Sequence, residues 1–140
     1  MLKLLIPVDG SKSSTNAVLH VAHLMQKGIQ AELHLLNVQP ALSGDVVAFV
    51  GKEALAGFHQ ERGQEESHLA REALDAQGLS YQLHIEVGGI AEEIADCVAR
   101  LGIDQIVMGS HGRGSIGNLL LGSVATKVIH LVNVPVTLVK

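Results

Sequence analysis

Short apolar runs recur along the chain and are separated by longer amphipathic stretches. A continuous apolar run that ends at turn residues is typical of a strand buried on both faces, and strict alternation is typical of a strand buried on one face. By these criteria the pattern predicts five strands, at residues 2–8, 31–38, 81–87, 104–109 and 135–140.

The stretch after the first strand has helical periodicity and a set of serines at its start. Serine hydroxyls accept hydrogen bonds from the free N–H groups of a first helical turn, so Ser13 or Ser14 is predicted to cap this helix. The helix is expected to run to about Lys27, where Gly28 ends it.

A long polar helical segment is predicted from about residue 45 to residue 77, with a break near Gly57 or Gly63 because glycine weakens a helix. Two shorter helices follow, over residues 88–102 and 123–131. Strands and helices therefore alternate throughout, and such alternation requires a parallel sheet with right-handed crossovers.

The predicted fold class is α/β: a single open five-stranded parallel sheet with helices on both faces, in one domain that spans residues 1–140. In open sheets of this kind ligands bind beyond the carboxyl ends of the strands, where the strand order reverses. Asp9, Val38 and Gly109 stand at predicted strand ends. These three positions are therefore candidates for a ligand-binding site.

Composition narrows the classes of protein that fit this pattern. Hydrophobic residues make up 47% of the 140 residues and aromatic residues only 2%, so the core is expected to be aliphatic. No segment approaches the roughly 20 apolar residues of a membrane helix, so we expect no membrane partner. The single Cys97 excludes a disulfide framework, fits a cytoplasmic location and is expected to be a small buried hydrophobe on a helix.

Charge is distributed unevenly along the chain. The net charge of −4 argues against nonspecific binding of nucleic acid. All 14 acidic residues lie at or before Asp104, whereas residues 105–140 carry Arg113, Lys127 and Lys140 and no acid. The last quarter of the chain is therefore the part that favours an anionic ligand.

This basic part contains the glycine-rich segment 108–127, MGSHGRGSIGNLLLGSVATK, which matches two well-known motifs imperfectly. Residues 112–117 read G-x-G-x-x-G, but a dinucleotide site also needs an acidic residue about 20 positions later, and none follows. Residues 117–124, GNLLLGSV, lack the lysine with which a phosphate loop of nucleoside triphosphatases meets the β- and γ-phosphates. The segment therefore predicts neither a dinucleotide site nor a phosphate loop of the nucleoside triphosphatase type.

A third interpretation takes Gly109, Gly112 and the pair Gly122–Ser123 together, as Gly-x2-Gly-x9-Gly-Ser. Gly109 allows a base or ribose to approach the backbone, and Gly112 offers its N–H to phosphate oxygens beside Arg113. Gly122 and Ser123 begin a helix, whose free N–H groups attract anions. The pattern indicates a phosphate-binding loop.

This spacing, after DQIVMG and before VPVTLVK, resembles the ATP-binding division of the universal stress protein family. The resemblance covers the whole chain, from LLIPVDGS to GSVATKVIHLVNVPVTLV. It implies a Rossmann-like fold of the adenine-nucleotide alpha hydrolase type with strand order 3-2-1-4-5, ATP as ligand, and a homodimer formed through Val136 to Val139. The third helix lacks the Gly-Asp-Pro that often begins it in this family.

The resemblance also implies a role for each matching residue. Asp9 would contact the ribose or, as a weak metal ligand, a phosphate-bound Mg²⁺ or Mn²⁺. Val38 and Met108 would pack against adenine, and Gly109 would meet the ribose. The residues expected to line the crevice or to surround the phosphates are Pro7, Val8, Gly112, Arg113, Gly122, Ser123 and Val124.

The function expected from this resemblance is that of a regulatory module of a stress response, which binds ATP and hydrolyses it slowly or not at all. Two alternatives are a slow ATPase or nucleotidyl-transfer enzyme and a flavin carrier, although only Phe49, Phe58 and Tyr81 are available to stack on a flavin.

Several polar residues have a second interpretation. Asp9 is equally suited to an Asx turn, and Arg113 to an exposed surface position. Of the eight histidines, His20 and His23 share a helix face without further ligands nearby, so no protein-only metal site is expected. His111 lies inside the phosphate loop and is a candidate for a pH-sensitive phosphate contact.

Overall fold

A computed structural model describes residues 1–112 and 120–140 of the chain. Five parallel strands form one sheet, as the sequence pattern predicts, and their order is β3-β2-β1-β4-β5, as the family resemblance implies. The elements follow the chain as β1 (Leu2–Pro7), α1 (Lys12–Gln26), β2 (Ala31–Gln39), α2 (Gly44–Val50), α3 (Lys52–Asp75), β3 (Gln82–Val87), α4 (Ile90–Leu101), β4 (Gln105–Gly109), α5 (Ser123–Leu131) and β5 (Val136–Val139).

Two aliphatic clusters cover the two faces of the sheet. Leu4, Ile6 and Leu35 on one face pack with buried residues of α1 and α3. Leu5 and Ile106 on the other face pack with residues of α4 and α5. Each such side chain contributes about 1.5–3 kcal/mol on burial, so these two layers account for most of the hydrophobic stabilisation.

Cys97 belongs to the second cluster and is fully buried, which confirms its expected role as a small hydrophobe on a helix. Burial also raises the pKa of its thiol, so the reactive thiolate is disfavoured. Within residues 1–112 and 120–140, none of the helices combines the length and the apolar composition that crossing a bilayer requires.

The prediction that Ser13 or Ser14 caps α1 is wrong. Ser11 has the extended backbone of an N-cap, and its Oγ accepts the N–H of Ser14 at 3.2 Å. Ser14 lies inside the first turn and donates its own hydroxyl to the Ser11 carbonyl at 3.1 Å. Ser13 is also helical, and its Oγ donates to the carbonyl of Val139 in β5 at 2.9 Å. Ser13 therefore connects the start of α1 to β5, and Ser14 adds a side-chain hydrogen bond within the first turn.

The predicted break near Gly57 or Gly63 is also wrong, because the helical segment breaks at Gly51. Gly51 has a φ of +90°, a value that favours glycine, and separates α2 from α3. Gly57 and Gly63 continue the helix, and Gly63 does so on its buried face. A Cβ at position 63 would lie 2.7 Å from two side-chain carbons of Ile85, so glycine allows α3 to lie close to β3.

Two histidines on neighbouring strands form a polar contact beneath α4. His34 Nδ1 lies 3.0 Å from His84 Nε2, and His34 Nε2 lies 2.8 Å from a carboxylate oxygen of Glu32. The rings are stacked with centroids 5.3 Å apart. Burial, followed by the charges of His34 and Arg100, lowers the pKa of His84 from its usual 6.5, and Glu86 acts in the opposite direction.

The register of the sheet opens a crevice between β1 and β4. β1 pairs with β2 as far as Pro7 and Leu36. Its pairing with β4, in contrast, ends at Leu5 and Ile106. The carboxyl ends of β1 and β4 therefore separate at the point where the strand order reverses, which is where open α/β sheets bind their ligands.

Candidate functional site

A cavity of about 260 Å³ lies in this crevice. Its apolar wall comes from the end of β2 and the start of α4, with Val38 and Ile94 as examples, and Met108 of β4 adds to it. Its polar wall comes from the loops after β1 and β4 and from the starts of α1 and α5. The remaining lining residues include Pro7, Val8, Asp9, Ser11, Ser14, Leu36, Pro40, Arg62, Glu66, Ile90, Gly109, His111, Gly112, Ser123, Val124 and Ala125.

Asp9 and Gly112 approach each other across the mouth of the crevice. Asp9 Oδ1 accepts the N–H of Ser11 at 2.9 Å, which is the Asx-turn contact, and the Asp9 N–H donates to Ser14 Oγ at 3.3 Å. A Cβ on Gly112 would lie 2.7 Å from Asp9 Oδ2. The turn therefore uses one carboxylate oxygen of Asp9 and directs the other toward the backbone of Gly112.

Gly109 ends β4 against the first turn of α1. A Cβ at this position would lie 2.5 Å from Ser13 Oγ, 2.7 Å from the carbonyl carbon of Ser13 and 2.8 Å from the backbone nitrogen of Ser14. The close approach of helix backbone requires glycine here, which is a reason that the motif alone did not reveal. Gly109 also forms part of the cavity wall.

The two residues after Gly109 connect β4 to other elements. The buried Ser110 donates its N–H to the Val139 carbonyl at 2.8 Å, and its Oγ lies 2.9 Å from His111 Nδ1. The N–H of His111 donates to Ser13 Oγ at 3.4 Å. His111 thus lines the cavity with its ring oriented by Ser110, and its proposed pH-sensitive contact with phosphate stays a prediction.

The start of α5 adds a helix N-terminus to the polar wall. Gly122 is the N-cap, is buried, and donates its N–H to the Ser110 carbonyl at 2.7 Å, so it fixes the start of the helix beside β4. Ser123 is exposed and, with Val124, lines the cavity. No side chain caps α5 within the described part of the chain. The first N–H groups of the helix are therefore suited to an anion.

Two residues of α3 that the sequence analysis did not select also line the cavity. Glu66 Oε1 accepts amide N–H groups from Asn37 and Gln39, each at 3.2 Å. Asn37 also donates to the Val8 carbonyl at 2.9 Å, and Gln39 donates to Asn37 Oδ1 at 2.7 Å. On the other side, Arg62 lies 3.4 Å from Glu66 Oε2. A buried network thus holds one carboxylate beside the end of β2.

Most residues predicted for the site come together in this one cavity. The wall includes Pro7, Val8, Asp9, Val38, Met108, Gly109, Gly112, Ser123 and Val124, and Gly122 directly precedes it. Arg113 lies outside the described residues. The aromatic residues considered for a flavin lie elsewhere: Phe49 is almost fully exposed on α2, Phe58 is half-exposed on α3, and Tyr81 lines a second cavity beside Met1 and Met25.

Across residues 1–112 and 120–140, no cluster of three or more His, Cys, Asp or Glu side chains is placed to hold a metal ion.

Comparison with known proteins agrees with this architecture. The model of the universal stress protein family matches residues 1–140. The chain belongs to the universal stress protein family. It is 32% identical to universal stress protein MJ0531 of Methanocaldococcus jannaschii, over 99% of this chain and 81% of that protein. MJ0577 of the same organism has a solved structure with a TM-score of 0.81 and 30% identity, covering 99% of this chain and 95% of that one.

More distant universal stress proteins share the fold and have been solved with adenine nucleotides. The Arabidopsis thaliana protein At3g01520, with AMP bound, has a TM-score of 0.71 at 18% identity, over 100% of this chain and 92% of that one. Another universal stress protein, in complex with cAMP, has a TM-score of 0.66 at 23% identity, over 99% of this chain and 97% of that one. At these identities the similarity establishes the fold.

Proposed function

We propose that this universal stress protein binds ATP in the crevice between β1 and β4 and acts as a nucleotide-dependent regulatory module. The observation that carries the proposal is the cavity in this crevice, which combines an apolar wall from β2 and α4 with a polar wall at a helix N-terminus. A nucleotide needs both, since its base is flat and largely apolar and its phosphates are anionic. The AMP and cAMP complexes of family members support adenine nucleotide as the ligand class.

In this proposal the base lies against the apolar wall. Val38 and Met108 contact it, and Leu36 and Ile94 support the same wall. These four residues are at most 9% exposed, so their side chains are already ordered by packing in the free protein. They therefore lose little conformational entropy when a ligand binds. Gly109 contacts the ribose, and Pro7 and Val8, at the end of β1, line the same crevice.

The phosphates lie at the polar wall. The backbone of Gly112 and the first turn of α5, with Ser123 and Val124, supply N–H groups, and the dipole of α5 favours negative charge there. The family resemblance adds Arg113 to this set, and Gly122 fixes the start of α5 beside it through the bond from its own N–H to the Ser110 carbonyl. Asp9 is the residue that would hold a phosphate-bound Mg²⁺ or Mn²⁺, which would supply positive charge to the phosphates.

We infer that hydrolysis is slow or absent, because one oxygen of each carboxylate in the described wall already has a structural hydrogen-bonding role. Asp9 Oδ1 closes an Asx turn, and Glu66 Oε1 accepts two amide N–H groups from side chains of β2. Neither has the arrangement of a base that activates water at the γ-phosphate. A slow ATPase or nucleotidyl-transfer enzyme is the second candidate, since Asp9 lies at the phosphate end.

Calorimetric titration with ATP, with and without Mg²⁺, tests binding, and steady-state release of phosphate and AMP tests hydrolysis. We expect saturable binding with turnover far below about 1 per second, the lower end for committed kinases. Turnover at or above that rate, lost in Asp9→Ala while the variant stays folded, would establish the enzymatic alternative.

A homodimer through β5 is part of the proposal. β5 pairs with β4 on one side and is the edge of the sheet on the other. An open apolar edge promotes pairing with a second strand, and Val136 to Val139 provide one. Light scattering on the eluted protein is expected to give twice the monomer mass, and a strict monomer would refute the interface. A cytoplasmic location and a role in a stress response are proposed from family membership.

A further inference from the structure

The wall of the cavity contains a carboxylate, that of Glu66, which is anchored to the end of β2. Its position is set by β2, because its two amide donors, Asn37 and Gln39, are the residues on either side of Val38. Asn37 is fully buried and Gln39 is 3% exposed, so both donors belong to the core. The Glu66 carboxylate is therefore fixed at the end of β2, on the α3 side of the sheet, whereas the Val38 side chain lies on the α4 side.

The contacts of Glu66 leave room for one more donor. A carboxylate accepts roughly four hydrogen bonds, about two at each oxygen. Both positions at Oε1 are taken by Asn37 and Gln39, whereas Oε2 has Arg62 at 3.4 Å, which is long for a charge-assisted bond. The Glu66 side chain is 14% exposed and lines the cavity. Oε2 therefore retains acceptor capacity at the cavity wall.

We propose that Glu66 determines base specificity by accepting a hydrogen bond from the exocyclic amino group of adenine. The inference rests on the proposed function and adds a reason for adenine in particular. A 6-oxo purine such as hypoxanthine presents a carbonyl oxygen at the same position, and two acceptors facing each other in a partly buried site are unfavourable.

Arg62 has a positioning role in this arrangement. It is 43% exposed and is shared between Glu66, at 3.4 Å, and Glu65, at 3.6 Å. It neutralises the Glu66 carboxylate from the solvent side. Because the contact is long and solvent-exposed, an amino group of the ligand can approach Oε2 without breaking a strong ion pair.

Affinities of the full chain for ATP and ITP, measured by calorimetry, test the proposal. The parent is expected to bind ATP roughly tenfold or more tightly than ITP, since a hydrogen bond to a charged group is lost with ITP. Glu66→Gln places an amide where Oε2 was, and its N–H can donate to the 6-oxo group. The preference should then fall to within about threefold. Glu65→Gln removes the same charge from the same helix turn and should keep the parent preference.

A further ligand keeps the test independent of how well the variant folds. Purine riboside 5′-triphosphate has hydrogen in place of the amino group and is smaller than ATP, so it fits wherever ATP fits. The parent should bind it roughly tenfold more weakly than ATP. Equal affinity, or an ATP preference unchanged in Glu66→Gln, would overturn the role of Glu66 while leaving nucleotide binding intact. Failure of the parent to bind any of the three nucleotides would overturn the proposed function itself.

Discussion

Replacing Gly109 by alanine should destabilise the fold, because the added Cβ has no space. It would lie 2.5–2.8 Å from three atoms of Ser13 and Ser14, two of them backbone, whereas ordinary contact begins near 3.4 Å. Overpacking of this kind costs about 1–3 kcal/mol. Moving α1 away also weakens the bond from Ser13 Oγ to the Val139 carbonyl, which contributes about 1 kcal/mol.

Alanine also restricts the unfolded chain, which offsets the loss by about 0.4–1 kcal/mol. The free energy of unfolding should therefore fall by about 1–3.5 kcal/mol. This decrease is measured by urea titration with circular dichroism as the signal of unfolding. Gly57→Ala is the matched control, since its Cβ meets nothing within 4 Å inside α3 and should stabilise by about 0.5–1 kcal/mol. A Gly109→Ala protein within about 0.5 kcal/mol of the parent would refute the packing argument.

Three further perturbations test other parts of the structure. Ser11→Ala removes the hydroxyl that accepts the N–H of Ser14 and should cost about 1 kcal/mol in urea titration, whereas the exposed Ser80→Ala should cost under about 0.5 kcal/mol. The lowered pKa of His84 means that the unfolded chain binds its proton more readily, so stability should fall as pH drops through roughly 6.5; a His84→Asn variant with the same pH dependence of unfolding would contradict this. The buried Cys97, whose thiol pKa is raised, should react with a thiol reagent only in denaturant, and rapid labelling of native protein would show that the site opens.

The order of elements was predictable because each strand and helix carries its own periodicity, whereas the exact ends depend on tertiary contacts. Ser11, Ser13 and Ser14 are equally good caps by composition, and only the docking of α1 on β4 and β5 decides among them. Likewise, Gly63 is retained in α3 because Ile85 lies beneath it, and Gly51 breaks the helix because its φ is positive. Neither fact is visible in the local sequence.

The glycine positions were predictable because few other residues suit a strand end and a helix start in that spacing. Arg62 and Glu66 were not, because an Arg–Glu pair at i and i+4 is typical of a solvated helix surface. A signal does exist in β2, where Asn37 and Gln39 share a face that should be apolar. Two buried amides in a central strand require a polar partner from the covering helix, and Glu66 is that partner.

Thermal and urea unfolding with and without Mg-ATP tests most directly whether the crevice holds the nucleotide. Ligand at 100 times its dissociation constant should add about 2.7 kcal/mol to the free energy of unfolding. Gly112→Val should lose this gain, since its side chain would occupy the space beside Asp9 Oδ2, whereas Gly57→Val, on an exposed position of α3, should keep it. No stabilisation of the parent at millimolar ATP, or an equal gain in Gly112→Val, would contradict the account.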